Sequence, residues 1–334
     1  MMPRRCTRSA GLAVATAAGA AVLLRYRRDR AEAEARVRRL NRRSVATPFG
    51  PLEYCEWGEG EPLLLVHGVV GGCDVPSSWR ALVPAGYRII TPSRFGYVGS
   101  PLPETASTAG QADAFACLFD ALGIERAPVL AFSAGSTSAV QLAVRHPEHV
   151  STLVLVASNA PHERPVTLAP RAVAPLLFAQ PTLWLLRVFL PSKLAAIAGT
   201  PAAYPLSEAD GRTLDAIFDS FFPVGPRAPG IIFDGYVGNA EIGDCRFEEI
   251  TVPTLGVHAA DDPLASYEDA RAMVARIPGS QWQRVEQGGH IFIHKDDQAK
   301  RAIAAFLAAH APAGAPDSPP AGEAALGGRP STDR

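Results

Sequence analysis

The chain has 334 residues, 47% of them hydrophobic and 19% charged, with a net charge of −1. That length and balance suit one large α/β core with an inserted subdomain, or two small domains, and exclude a disordered or fibrous chain. The charge is uneven: residues 1–43 hold twelve Arg against Asp29, Glu32 and Glu34, about +9, which leaves about −10 for the rest, so the body is not expected to bind nucleic acid.

The N-terminus opens on Met1-Met2-Pro3-Arg4-Arg5, then a largely apolar stretch, Ala10–Leu24, then Arg25-Tyr26-Arg27-Arg28. Fifteen residues at about 1.5 Å each span roughly 22 Å, short of the ~30 Å hydrocarbon layer. A signal peptide fits the basic start, but the small-residue triplets (15–17 and 18–20) precede more apolar residues. A plain Ala-rich soluble helix is a second reading. An uncleaved anchor is favoured, because arginines crowd both ends and can snorkel to the interfaces. Nine Arg lie between 25 and 43 against three before residue 10, which would put the body on the cytoplasmic side. The alternatives are a cytoplasmic or an exported protein. Residues 31–43 continue as a charged stalk, and residues 1–43 are expected to confer membrane association without contributing to an active site.

From Val45 the pattern changes to strands. Residues 45–47 and 52–56 suggest a hairpin, and 62–66 (PLLLV) reads as a strand buried on both faces. A second such strand follows at 87–90. A helix is expected over 108–122, with Phe115, Leu118, Phe119 and Leu122 on one stripe and Gly123 as its stop. Strands at 128–130 and 152–156 flank a helix at 136–145. Alternation of this kind argues an α/β fold with a mostly parallel, doubly wound sheet. Residues 160–250 break the rhythm: their prolines and large apolar residues fit several short helices, an inserted lid. The sheet resumes at 254–258, with a helix at 267–277, a strand at 282–285 and a helix at 298–309. The expected division is an N-terminal anchor and stalk (1–43), a first core part (44–159), the lid (160–250), a second core part (251–310) and a disordered Pro/Gly/Ala-rich tail (311–334). Five scattered cysteines lack any zinc or disulfide spacing, so neither a metal nor a disulfide framework is expected.

The stretch Ala131-Phe132-Ser133-Ala134-Gly135 stands between a strand and a helix. Small residues flanking a serine there make a sharp turn that holds a nucleophile above the sheet edge. A serine hydroxyl needs a base, and the base needs an orienting group. His290, in Gly288-Gly289-His290 after the last strand, supplies the base. Asp262, in Ala260-Asp261-Asp262-Pro263 after the preceding strand, supplies the carboxylate, while Asp261 caps the turn. The order Ser133, Asp262, His290 suits nucleophilic catalysis on a sheet of this kind. The oxyanion would be held by the N–H of Ala134 and by one from the loop His67-Gly68-Val69, with His67, Gly68 and Gly135 as supporting residues of the neighbouring loop and turn. His146 and His149 read as surface residues, and His258 as structural.

Together HGVVGG (67–72), SRFGYVGSP (93–101), AFSAG (131–135), VHAADDP (257–263) and GGH (288–290) resemble the α/β-hydrolase superfamily, over roughly residues 45–310. The resemblance is greatest to the branch of small bacterial esterases, haloperoxidase-like hydrolases and carbon–carbon bond hydrolases. It implies a Ser133–His290–Asp262 triad, Val69 and Ala134 as oxyanion donors, a helical lid and no cofactor. Ser93 and Ala131 depart from the family's usual Asp and Gly. The expected activity is serine-dependent hydrolysis of a small, uncharged, apolar ester-like substrate. Carbon–carbon bond hydrolysis of vinylogous diketones is the alternative, weakened by the absence of a proline from HGVVGG. A catalytically idle, membrane-tethered binding module is the rival from another class. The oligomeric state is left open.

Overall fold

The computed structural model describes residues 5–161, 170–202, 204–293 and 296–311. A 34-residue helix, α1 (Arg5–Arg38), leads into the hairpin β1 (Arg43–Thr47) and β2 (Gly50–Trp57). Strands and helices then alternate: β3 (Glu61–Val66), the short α2 (Ser77–Arg80), β4 (Tyr87–Pro92), α3 (Thr108–Leu122), β5 (Ala127–Phe132), α4 (Gly135–Arg145) and β6 (Val150–Val156). Helices α5 (Ala174–Leu177), α6 (Gln180–Phe189), α7 (Pro191–Ile197), α8 (Glu208–Ser220) and α9 (Ala228–Phe233), with short 3-10 and π turns, fill the interval before β7 (Thr254–Ala259). The last elements are α10 (Tyr267–Ala275), β8 (Gln281–Val285) and α11 (Asp296–Ala309).

The eight strands form one sheet in the order β1-β2-β4-β3-β5-β6-β7-β8. The pairs β1–β2 and β2–β4 are antiparallel, and the rest are parallel. The central strands read as unbroken apolar runs because both faces are covered. Leu64, Val66, Val129 and Ala131 face Phe115 and Leu118 of α3, Val140 of α4 and Met273 of α10. Their neighbours Leu63, Leu65, Leu130 and Phe132 face Trp79 of α2 and Ile303 and Phe306 of α11. Local signals agree: the Ser107 hydroxyl accepts from Gly110 N–H to start α3, and Gly123, at φ +65°, stops it. With β3 to β8 running the same way, the loops after β3, β5, β7 and β8 open at one edge.

Between β6 and β7 proline sits in the first turn of α5, α6, α7 and α9, where its missing N–H costs nothing and its fixed φ suits helix entry. Two apolar clusters hold this segment. One joins Trp184, Phe222, Val224 and Ile231 to Tyr97 and to Val69 and Val70. The other joins Leu194, Leu214, Ile217 and Phe218 to Ile291 and Ile293. The segment therefore touches the loops after both β3 and β8.

The N-terminus differs from expectation. Among the described residues no helix is long and apolar enough to cross a membrane, so the expected spanning anchor finds no support. Nor are residues 31–43 a stalk. Ala33 is buried in the cluster around Trp184, with Val22 and Tyr26 packed against it. The Tyr26 ring meets Trp184 edge-on at 5.2 Å, and Trp184 Nε1 donates to Asp29 Oδ2 at 3.0 Å. Arg36 donates to the carbonyls of Asp219 and Phe222. Hydropathy registers the apolar run at 10–24 but not this docking, because its partners lie far away in sequence. The expected disordered tail, apart from Ala311, lies outside the described residues.

Trp184→Ala should release α1 while leaving the sheet intact. Removing a buried Trp costs about 3–5 kcal/mol. Amide exchange across residues 22–37 should rise by at least ~100-fold, with β3 and β5 unchanged, as read by hydrogen-exchange mass spectrometry.

Candidate active site

Ser133 lies between β5 and α4 with φ +52°, a left-handed conformation that costs a non-glycine residue about 1–3 kcal/mol. The surroundings impose it. Ser133 N–H is tied to the Val156 carbonyl at 2.9 Å, and its own carbonyl accepts from Ser136 N–H at 2.9 Å as α4 begins. The turn has no room to relax toward β3. A Cβ on Gly135 would lie 2.5 Å from the His67 carbonyl, and one on Gly68 would lie 3.0 Å from Ser133 Cβ. Glycine at 135 and 68 thus lets the nucleophile turn and the loop after β3 lie against each other.

The three separated residues of the expected relay come together. The Ser133 hydroxyl is 2.9 Å from His290 Nε2, and His290 Nδ1 is 2.7 Å from Asp262 Oδ2. A carboxylate only accepts, so Nδ1 carries the proton and Nε2 is left to receive one from Ser133. His290 is itself fixed through its N–H, which donates to the Gly199 carbonyl at 2.9 Å.

Asp262 is the best-held carboxylate of the site. Its Oδ1 accepts from the N–H groups of Leu264 at 2.8 Å and Ala265 at 3.0 Å. Its Oδ2 lies 3.1 Å from His258 Nε2, whose proton is shared with the Ala265 carbonyl. Burial pushes this carboxyl up. Hydrogen bonds from His258 and His290, the charge of His290 and the Ala265 N–H outweigh burial and hold it well below the usual carboxylate range. Asp262 therefore caps its own turn, the role expected of Asp261. Asp261 instead reaches across to the Gly289 N–H at 2.9 Å and takes the Tyr204 hydroxyl, so it holds the loop that carries His290.

The expected oxyanion donors lie beside the nucleophile. Ala134 is the N-cap of α4, so its amide sits at the positive end of an eleven-residue helix. Among the described residues neither the Ala134 nor the Val69 N–H has a backbone partner outside the regular elements. His67 does not face the reaction. Its Nε2 accepts from Arg94 N–H at 3.0 Å, so Nδ1 bears the proton and donates to the Gly68 carbonyl at 2.7 Å. Burial, with the nearby charge of Arg94, holds this imidazole well below its ordinary range, and it stays neutral. Ser93 donates nothing to the site: its hydroxyl accepts from Cys73 N–H at 3.0 Å.

Several contributors carried no signal in the sequence. His258 reaches the relay carboxylate because residues four apart across the end of β7 fold back on each other. Arg227 and Asp74 form a buried pair beside Val70, and Tyr204 comes from the segment between β6 and β7.

A family model described as alpha/beta hydrolase fold matches residues 61–297. An uncharacterized hydrolase of Bacillus subtilis, YcgS, is 41% identical over 111 residues, 32% of this chain and 37% of that one. RutD of Caulobacter vibrioides, which bears the provisional name of a carbamate hydrolase, is 28% identical over 221 residues, 62% of this chain and 74% of its own. Among solved structures, an alpha/beta hydrolase fold protein from Nakamurella multipartita superposes with a TM-score of 0.64 at 29% identity, covering 80% of this chain and 99% of that one.

Because the folded carboxyl of Asp262 titrates below its unfolded value of 3.8, it stabilises the fold above that value and loses the contribution as pH falls. Asp262→Asn should be less stable than the wild type at pH 7, with the gap constant down to about pH 5 and narrowing below pH ~4. Urea unfolding at pH 7, 5 and 3 measures it. A gap that widens with acid would contradict this account.

Proposed function

The chain belongs to the alpha/beta hydrolase fold family, and on that premise we propose that it is a serine hydrolase acting through an acyl-enzyme on an uncharged, apolar, ester-like carbonyl substrate. The observation that carries this reading is the contact of Ser133 with His290 at 2.9 Å and of His290 with Asp262 at 2.7 Å. In this mechanism His290 Nε2 takes the hydroxyl proton as Ser133 Oγ bonds to the substrate carbonyl carbon. The resulting oxyanion is met by the N–H groups of Val69 and Ala134, with α4 adding its positive end. The carbon–oxygen bond to the leaving alcohol breaks, and His290 returns the proton to that alcohol. Water then attacks the acyl-enzyme, again giving a proton to His290, and Ser133 leaves with the proton restored. Asp262 holds the ring and offsets the charge of the imidazolium throughout.

The proposed substrate class rests on the segment between β6 and β7, read as the lid. Trp184, Phe222, Val224 and Ile231 cluster with Val69, a proposed oxyanion donor, and its neighbour Val70. A site walled this way favours apolar groups and penalises an unpaired charge. A carbamate ester, of the class in the name of the Caulobacter relative, would follow the same acyl transfer: the alcohol leaves first and water then releases the carbamoyl group from Ser133.

A fluorophosphonate probe should label Ser133, and Ser133→Ala should stay folded while kcat falls by several powers of ten. An unlabelled Ser133 would leave the idle binding module as the better account. On p-nitrophenyl acetate, butyrate and octanoate, kcat/KM should rise roughly fourfold per methylene until the pocket is full. Flat rates, or preference for a succinyl ester of similar length, would overturn the apolar assignment. Turnover of vinylogous diketones with little ester cleavage would instead establish carbon–carbon bond hydrolysis.

A further inference from the structure

We infer that Arg227, a buried side chain of the segment between β6 and β7, is a positioning residue that sets the oxyanion-binding peptide of the 67–72 loop. On this view the segment helps assemble the catalytic site as well as cover it. The inference rests on the acyl-transfer reading above and adds a residue that the family's motifs do not include.

The loop after β3 has an unusual conformation. Val70 has φ +59°, which is costly for a β-branched residue and must be held from outside. Arg227 supplies such a hold. Its guanidinium is fully buried, and its Nε donates to the Val70 carbonyl at 3.2 Å. Nη1 donates to the Pro223 carbonyl at 2.8 Å, and Nη2 to Asp74 Oδ1 at 2.6 Å and Oδ2 at 2.5 Å. One planar fork therefore ties together a corner of the segment, the acid that ends the loop and the left-handed residue within it.

The donor itself is one residue away. The Gly68 carbonyl is occupied by His67 Nδ1–H, and the peptide plane is trans, so the Val69 N–H points the opposite way. His67 fixes one side of Val69, and Arg227 fixes the other through Val70. A buried Arg–Asp pair adds little net stability, because desolvation consumes most of the attraction. Stability alone is a weak reason to place one here, whereas aiming a backbone N–H needs this kind of rigid, directional contact.

The same corner is held from behind. Arg36 of α1 donates to the Phe222 carbonyl, next to the Pro223 carbonyl that receives Arg227. The chain of contacts runs from α1 through 219–227 to Val70, so residues 1–43 bear on the site contrary to expectation.

The test uses the full chain, p-nitrophenyl butyrate and a fluorophosphonate, whose phosphoryl oxygen occupies the oxyanion position. Arg227→Lys keeps a cation beside Asp74 but gives up the fork. The expected result is a thermal midpoint within a few degrees of wild type, KM within about threefold, and kcat and the Ser133 labelling rate both lower by roughly 10- to 100-fold. The acid limb of the kcat–pH profile should not move, since His290 is untouched. Should the lysine variant fold poorly, the double variant Asp74→Asn with Arg227→Gln removes both buried charges, and the same parallel loss of kcat and labelling is expected. Unchanged kcat, or a loss confined to KM, in a folded variant would refute the role of Arg227 alone. Failure of the wild type to be labelled would refute the Ser133 reading and this inference with it.

Discussion

Everything at the functional edge depends on one strained residue. Ser133 stands at φ +52° because β5 ends, α4 begins and the loop after β3 presses on the same few ångströms. The strain is affordable only inside a rigid frame. The frame here is a sheet whose central strands are buried on both faces, with Phe132 stacked on Trp79 at 4.5 Å directly beneath the turn. Given that turn, α4 must begin beside the serine, with Ala134 as its N-cap at the positive end of the helix.

The segment between β6 and β7 acts on both flanks of that turn. On one flank Arg227 grips Val70 and Asp74. On the other the Gly199 carbonyl accepts from His290 N–H, and the Tyr204 hydroxyl meets Asp261 and the Gly288 N–H. His290 and the loop after β3 are thus fastened to one body, which is in turn backed by α1. Displacing that body would disturb both at once.

What could be read from the residues was what depends on short range. The runs at 62–66, 128–130, 152–156 and 254–258 announce strands because a strand buried on both faces has no polar alternation. Gly123 marks the end of α3 by chemistry local to it. That Ser133, Asp262 and His290 would meet was legible for a related reason: each sits at the end of a strand in a recognisable turn. What could not be read depends on long-range packing. Ala10–Leu24 looked like an anchor since hydropathy reports composition, not partners. Of the adjacent acids, Asp262 is the one expected to face His290 and it does, but the reach of Asp261 to the Gly289 N–H depends on how two distant loops pack. Arg227 has no local grammar at all, because its three acceptors lie at 70, 74 and 223.

The docking of α1 also sets an order of events in time. Asp29 and Trp184, which meet through a hydrogen bond, are 155 positions apart. At roughly 5–20 residues per second, the ribosome needs about 8–30 s after finishing α1 to make its partner. During that interval Val22, Tyr26 and Ala33 have nothing to pack against, although the helix they belong to can already form. A helix synthesised well before its partner is therefore late to find its place, and until then it offers an apolar face to whatever chaperone or surface meets the nascent chain.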